Sequence, residues 1–263
     1  MPVPEDKLRL GGMALRNGLL VHGPTHWAAA VRTSGGEVKV ASGPKPRVTT
    51  FDDVPGLRGL ARLGEAFAVI PLVKRGLPEA KLAFENPSVI GVAAGASVAG
   101  ALLKRRLRGT AGELGAALVG VAPALFALRG GELAAYHGVE HKAIAAYEAD
   151  TPDAADADKE HERCGSHLMA PMIAANLAGT LLLKRALERP NVLAGGAVAL
   201  ASTAAAVEVF AWSERHADSP VSRALKRPGY ELQKAIGTRE PDEHQLEVGR
   251  AALAEILRVE ASN

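Results

Sequence analysis

The sequence predicts a mainly α-helical membrane protein, with about four short Ala/Gly-rich transmembrane helices, a small N-terminal β region and a C-terminal helix. Three observations carry this prediction. Long runs between residues 86 and 207 are almost free of ionisable side chains, residues 11–42 alternate short apolar runs with Gly and Pro turns, and the C-terminal stretch repeats apolar positions at helical spacing.

In chain order, residues 1–55 read as the β region and a connector. Met1 to Leu10 carries prolines and charges and no apolar stretch, so no cleavable signal peptide is expected. Leu15 to His22, Trp27 to Thr33 and Glu37 to Ala41 read as strands, the last two forming a hairpin at Gly35-Gly36. Pro44, Pro46 and Pro55 mark the connector. Over residues 56–85, Leu60, Leu63, Phe67 and Ile70 recur every three or four positions. Arg58, Arg62, Lys74 and Arg75 flank that stripe, which predicts an amphipathic helix from Leu57 to Lys74 suited to a membrane surface.

Residues 86–215 form the predicted membrane domain. Asn86 to Leu103 and Leu114 to Leu128 hold no ionisable residue, Gly165 to Leu183 holds only His167, and Pro190 to Val207 is uncharged. These runs lie at or just below the ~20 residues that span a bilayer as a helix. A soluble Ala-rich bundle is the competing reading, since alanine is weakly apolar, but four such runs in one chain favour the membrane. Gly91, Gly95 and Ala99, and likewise Gly195 and Ala199, suit close helix packing there, and a homo-oligomer stays open. Basic loops join each pair: Lys104, Arg105, Arg106 and Arg108 in the first, Lys184, Arg185 and Arg189 in the second. An even number of spans places the N-terminal β part, the His137–Cys164 region and the C-terminus on one side of a multi-pass cell-membrane protein. The short basic loops favour the cytoplasm for themselves, a long N-terminal part without a signal peptide favours the reverse, and sidedness stays open. Asp150 to Glu162 reads as an exposed acidic loop. Residues 216–263 end in a helix whose apolar face is Leu246, Val248, Ala252 and Ile256. Pro241 as its first residue, with Asp242 or Glu243 in the first turn, is ordinary helix-start chemistry.

Composition excludes some functions. Formal net charge is +2 and aromatic content 4%, so neither the basic footprint nor the stacking platforms of a nucleic-acid binder are present. One cysteine, Cys164, rules out an intrachain disulfide.

The chemistry concentrates in Tyr136 to Lys142, where His137, Glu140 and His141 form a His-x-x-Glu-His set. Positions i and i+4 share a helix face, so both imidazoles can address one ion, and Glu140 can take a proton from a bound water; this is the order of the inverted zincin motif. The plain alternative is a polar helix end whose histidines only hydrogen-bond. Cys164 precedes the third apolar run beside Arg163, where helix dipole and guanidinium lower a thiol pKa, making it a zinc ligand or nucleophile. A small buried residue at a helix cap would look the same. His161, three residues earlier, has a spacing usable for chelation. Glu208, near the end of the fourth run, is either a functional carboxylate at membrane depth or one that has reached the interface.

Tyr136 to Lys142, Arg163 to Ser166, and Pro228-Gly229 through Gln233 to Thr238–Asp242 resemble three signatures of the YqhQ-like bacterial family, predicted metal-dependent membrane proteins with a domain of unknown function. Gly11-Gly12 through Ala14, Gly18 and Pro24, then Ala28 to Arg32, is similar to its N-terminal block, so the resemblance spans nearly the whole chain. It implies that His137, Glu140, His141, His161, Cys164, Arg239, Glu240 and Asp242 belong to one site, and it matches Glu208 to a family glutamate near the end of the last apolar helix. Met13, Asn17 and His22 depart from the family's glutamine, glutamate and arginine, which puts a role for the N-terminal block in doubt.

Three functions fit these residues. The first is a membrane zinc hydrolase with Glu140 as general base and Arg239 holding an anionic group or oxyanion. The second is a non-enzymatic membrane assembly or scaffold protein, for which a closed shell of His137, His141, His161 and Cys164 would argue. The third is a thiol enzyme with Cys164 as nucleophile.

Overall fold

The computed structural model describes residues 7–107, 109–129, 131–187 and 190–262. Arg108 and Arg189 of the two basic loops, and the start of the expected leaderless N-terminus, lie outside the described residues.

Residues 11–44 form a four-stranded antiparallel meander in the order β1 (Gly11–Leu15), β2 (Gly18–His22), β3 (His26–Arg32) and β4 (Val38–Pro44). The sequence reading ran Leu15 to His22 as one strand. Instead the chain turns at Arg16-Asn17, with Leu15 opposite Gly18. Asn17 fixes that corner, its Nδ2 donating to the carbonyls of Arg32 and Glu79 and its Oδ1 accepting from Lys81 N–H. Strand period two divides the apolar side chains between two faces. Leu19, Val21, Ala28 and Ala30 pack on helices α6 (Glu132–Ala149) and α10 (Glu243–Ala261), against Tyr136, Val139, Val248, Ala252 and Ile256. Leu20, Trp27, Ala29 and Val31 face Val69, Val73, Leu77 and Leu82. Both faces are covered, which is why β2 and β3 read as continuous apolar runs rather than as alternation.

The helix expected over Leu57–Lys74 is divided at Val69 into α1 (Leu57–Ala68) and α2 (Ile70–Gly76). Pro71 in the first turn of α2 is the reason, because proline has no N–H to continue the ladder. The apolar runs become α3 (Pro87–Arg106), α4 (Thr110–Gly120) with α5 (Ala122–Arg129), α7 (Met169–Ala186) and α8 (Val192–Arg215). Among the described residues four helical stretches, Pro87–Arg106, Thr110–Arg129, Gly165–Ala186 and Val192–Arg215, are long and apolar enough to cross a membrane by length and composition. Only 6–11% of each apolar window is buried inside the protein, so these faces turn outward, and a membrane location is what they suggest. The two helical pairs are tied at their basic ends, where Glu113 accepts Lys104 at 3.0 Å and Lys184 at 2.5 Å.

A further helix, α9 (Pro220–Leu232), precedes a π-turn at Gln233–Gly237, and neither was expected from the sequence. Asp242 is the N-cap of α10 rather than a first-turn residue, in a reciprocal capping box with Gln245 at 2.9 and 3.0 Å. The acidic stretch after α6 keeps Asp150, Asp156, Asp158 and Glu162 exposed, as expected, while its backbone is held against α6. Buried Lys142 donates to the carbonyls of Ala155 and Ala157 at 3.0 and 2.7 Å, drawing the loop over α6.

Candidate metal centre

His137 and His141 lie one turn apart on α6 with ring centroids 4.3 Å apart. Each ring is fixed through Nδ1, which sits 2.8 Å from Gly237 O for His137 and 2.7 Å from Lys159 O for His141. A carbonyl only accepts, so Nδ1 donates in both rings and Nε2 is the nitrogen left to address a metal. Cys164 completes the group: its Sγ lies 3.4 Å from His137 Nε2 and accepts from Ser166 N–H at 3.4 Å. Ligand atoms of His137, His141 and Cys164 all fall within 4.8 Å of one another, so these three can hold a metal.

What brings Cys164 to α6 is a buried amide. Gln233 is fully buried; its Oε1 accepts from His161 N–H at 2.8 Å, and its Nε2 donates to Ser166 Oγ at 2.9 Å and to His161 O at 3.2 Å. The same π-turn presents Gly237 O to His137. The chain then passes so close to α6 that a Cβ on Gly138 would stand 2.3 Å from Arg239 O, a space only glycine leaves.

Glu140 packs on β1. A Cβ on Gly12 would meet its Oε1 and Cγ at 2.7 Å, and among the described residues no group hydrogen-bonds the carboxyl. Burial pushes its pKa up to about 7; Cys164 adds to the rise and His137 opposes it. Burial also lowers the His141 pKa and keeps that ring in its neutral, ligating form. Burial alone would raise the Cys164 thiol, but His141 and the Ser166 N–H outweigh it and the net shift is downward, towards thiolate.

His137, Glu140, His141, His161 and Cys164 line one cavity of about 550 Å³, bounded also by β1, α1 and α5. His161 lies beside His141, with ring centroids 5.6 Å apart, yet its Nδ1 accepts from Arg163 N–H at 3.3 Å and its Nε2 faces Glu148 at 3.5 Å. It therefore stands next to the converging trio. Arg239 reaches over Gly131 into a separate surface pocket shared with Glu132 and Glu240. Glu240 pairs with Lys142 at 2.7 Å, Asp242 caps α10, and Glu208 accepts from Gly56 N–H and Arg58 at 2.6–3.0 Å, tying α1 to α8. The eight residues that the resemblance assigned to one site are thus divided, with Arg239, Glu240 and Asp242 on another surface.

Sequence reasoning missed the positioning set: Gln233's amide, the carbonyls of Gly237 and Lys159, and Gly12 beneath Glu140. Carbonyls have no sequence signature, and the two side-chain roles depend on chain segments distant in sequence. The N-terminal block, whose role its departures put in doubt, does reach the cavity. His22 lines it, and burial followed by Lys45 lowers the His22 pKa to about 4, leaving the ring neutral.

Comparison with known proteins covers the second half of the chain. Residues 132–259 match a family described as "Protein of unknown function (DUF1385)". Over 130 residues, 48% of this chain and 41% of the relative, the sequence is 31% identical to the uncharacterized protein YqhQ of Bacillus subtilis (strain 168). The match thus spans less than half of that curated relative. No solved structure matches. The family match contains His137, His141 and Cys164 and leaves the N-terminal block outside it, and over residues 132–259 this chain is similar to a YqhQ-like family of unknown function.

Proposed function

We propose that this protein is a metal-dependent hydrolase acting at a membrane, with zinc held by His137, His141 and Cys164 and with Glu140 as general base. The donor set fits that ion, offering two imidazoles held through Nδ1 by backbone carbonyls, so that Nε2 is the ligating nitrogen, and a thiol whose pKa is lowered. Zinc on three protein ligands supplies a Lewis acid and an activated water at neutral pH. The carboxylate of Glu140 takes the proton of the attacking water, the water oxygen forms the new bond, and the proton passes to the leaving group as its bond breaks. A pKa of about 7 suits both halves of that transfer.

The observation that carries this reading is the Glu140 carboxyl, without a hydrogen-bond partner among the described residues, beside a His137–His141–Cys164 group that opens on a cavity. A structural centre closes its shell with a fourth ligand, and His161, the fourth ligand offered by the sequence, has its ring nitrogens engaged by Arg163 N–H and Glu148. The test is Glu140→Gln in a deletion strain. The expected result is retained folding and zinc with function reduced by about 10²-fold or more. Full complementation by a zinc-bearing Glu140→Gln protein would defeat the enzymatic reading and favour the scaffold.

A further inference from the structure

The cavity wall is divided by chemistry. One part carries the histidines, Glu140, Cys164 and Arg163; the other is built from Ala66 and Phe67 of α1, Phe84, and Ala124, Ala127 and Leu128 of α5. Arg163, rather than Arg239, is the guanidinium on this cavity. Its side chain is only 7% exposed, and its Nη2 serves Glu148 and the carbonyl of Leu10. Among the described residues its Nε and Nη1 have no hydrogen-bond partner. Unpaired donors on a buried cation are costly, and a group rich in oxygen acceptors is what would satisfy them. The apolar wall leads the other way. α5 is the second half of the apolar stretch Thr110–Arg129, and Phe67 and Phe84 are 54% and 56% exposed.

We propose that this cavity binds a single-chain amphiphile with an anionic oxygen head, entering between α1 and α5 from the bilayer, its chain on the apolar wall and its head at Arg163. The volume lies within the ~300–1,000 Å³ of small-molecule sites. An extended peptide fits less well, because its amides need partners along their length and the α1–α5 wall offers only apolar side chains. The inference concerns binding and stands whether or not the bound molecule is cleaved.

The test uses the full chain in nanodiscs of zwitterionic lipid, with a bound fluorescent long-chain fatty acid as reporter. Competitors are palmitate, hexadecyl phosphate, hexadecanol and inorganic phosphate. Palmitate has no bond that a hydrolase cleaves, so failure here is separate from failure of the hydrolase reading. The expected result is that palmitate or hexadecyl phosphate displaces the reporter at concentrations at least tenfold below hexadecanol, while inorganic phosphate does not displace it. Ala127→Trp, which fills the apolar part from a helix surface, weakens both acids at least tenfold, and Arg163→Gln removes the preference for the anionic head. Equal displacement by hexadecanol, or displacement by inorganic phosphate alone, overturns the proposal. So does wild-type affinity in Ala127→Trp protein that keeps its metal and its size-exclusion profile. Should Arg163→Gln fail to fold, Ala127→Trp and the competitor series still decide.

Discussion

Glu140 offers a thermodynamic handle that requires no substrate. In the unfolded chain its carboxyl titrates near 4.5; in the folded protein burial raises that to about 7. The native state therefore binds the proton more tightly between those values, and stability falls as pH rises from 4.5 through 7, then levels off. At roughly 1.4 kcal/mol per pH unit, the ionised carboxylate costs the metal-free protein about 3 kcal/mol at pH 8. Glu140→Gln keeps size and removes the charge, so at pH 4 it should melt with the wild type. At pH 8 it should melt higher, by on the order of 6–10 °C if soluble-domain scaling holds. The assay is thermal unfolding of chelator-treated wild-type and Glu140→Gln protein in one detergent from pH 4 to 8. Zinc added at pH 8 should narrow the gap, because a nearby cation favours the carboxylate. A difference in melting temperature that stays constant across this range would refute the reasoning, since it would mean that the site does not resist ionisation of Glu140.

Four outward-facing apolar helices lead us to expect fractionation with membranes and extraction only by detergent; release by high salt alone would count against a bilayer location. About one zinc per chain should copurify or bind on addition, and His137→Ala, His141→Ala or Cys164→Ser should each weaken it, as read by metal analysis of purified protein. Gly12→Ala places a methyl 2.7 Å from Glu140 Oε1 and should lower complementation while leaving zinc in place. Unchanged complementation would show that the carboxyl does not depend on its seat against β1.

The sequence by itself determined what depends on near neighbours along the chain. Spacing of i and i+4 put His137 and His141 on one face, and uncharged length marked the apolar helices, because both are properties of a single helix. Apolar periodicity likewise identified the buried face of α10 from Leu246 to Ile256. The Arg16-Asn17 turn and the break at Val69 escaped it, since the local apolar pattern runs through both points. Only the tertiary structure decided the third residue of the group that could hold a metal. Cys164 lies 27 residues from His137, and its place is set by Gln233 and by a loop that buried Lys142 draws back over α6. The same long-range packing set β1 beneath Glu140 and gave Arg163, not Arg239, to the cavity. Arg239 follows the π-turn that supplies Gly237 O to His137, and its side chain leaves on the far side of Gly131. Proximity in the motif therefore did not become proximity in the site. Local spacing fixes which face of a helix a residue takes, whereas the partner of that face is chosen by burial and hydrogen bonding among segments far apart in sequence.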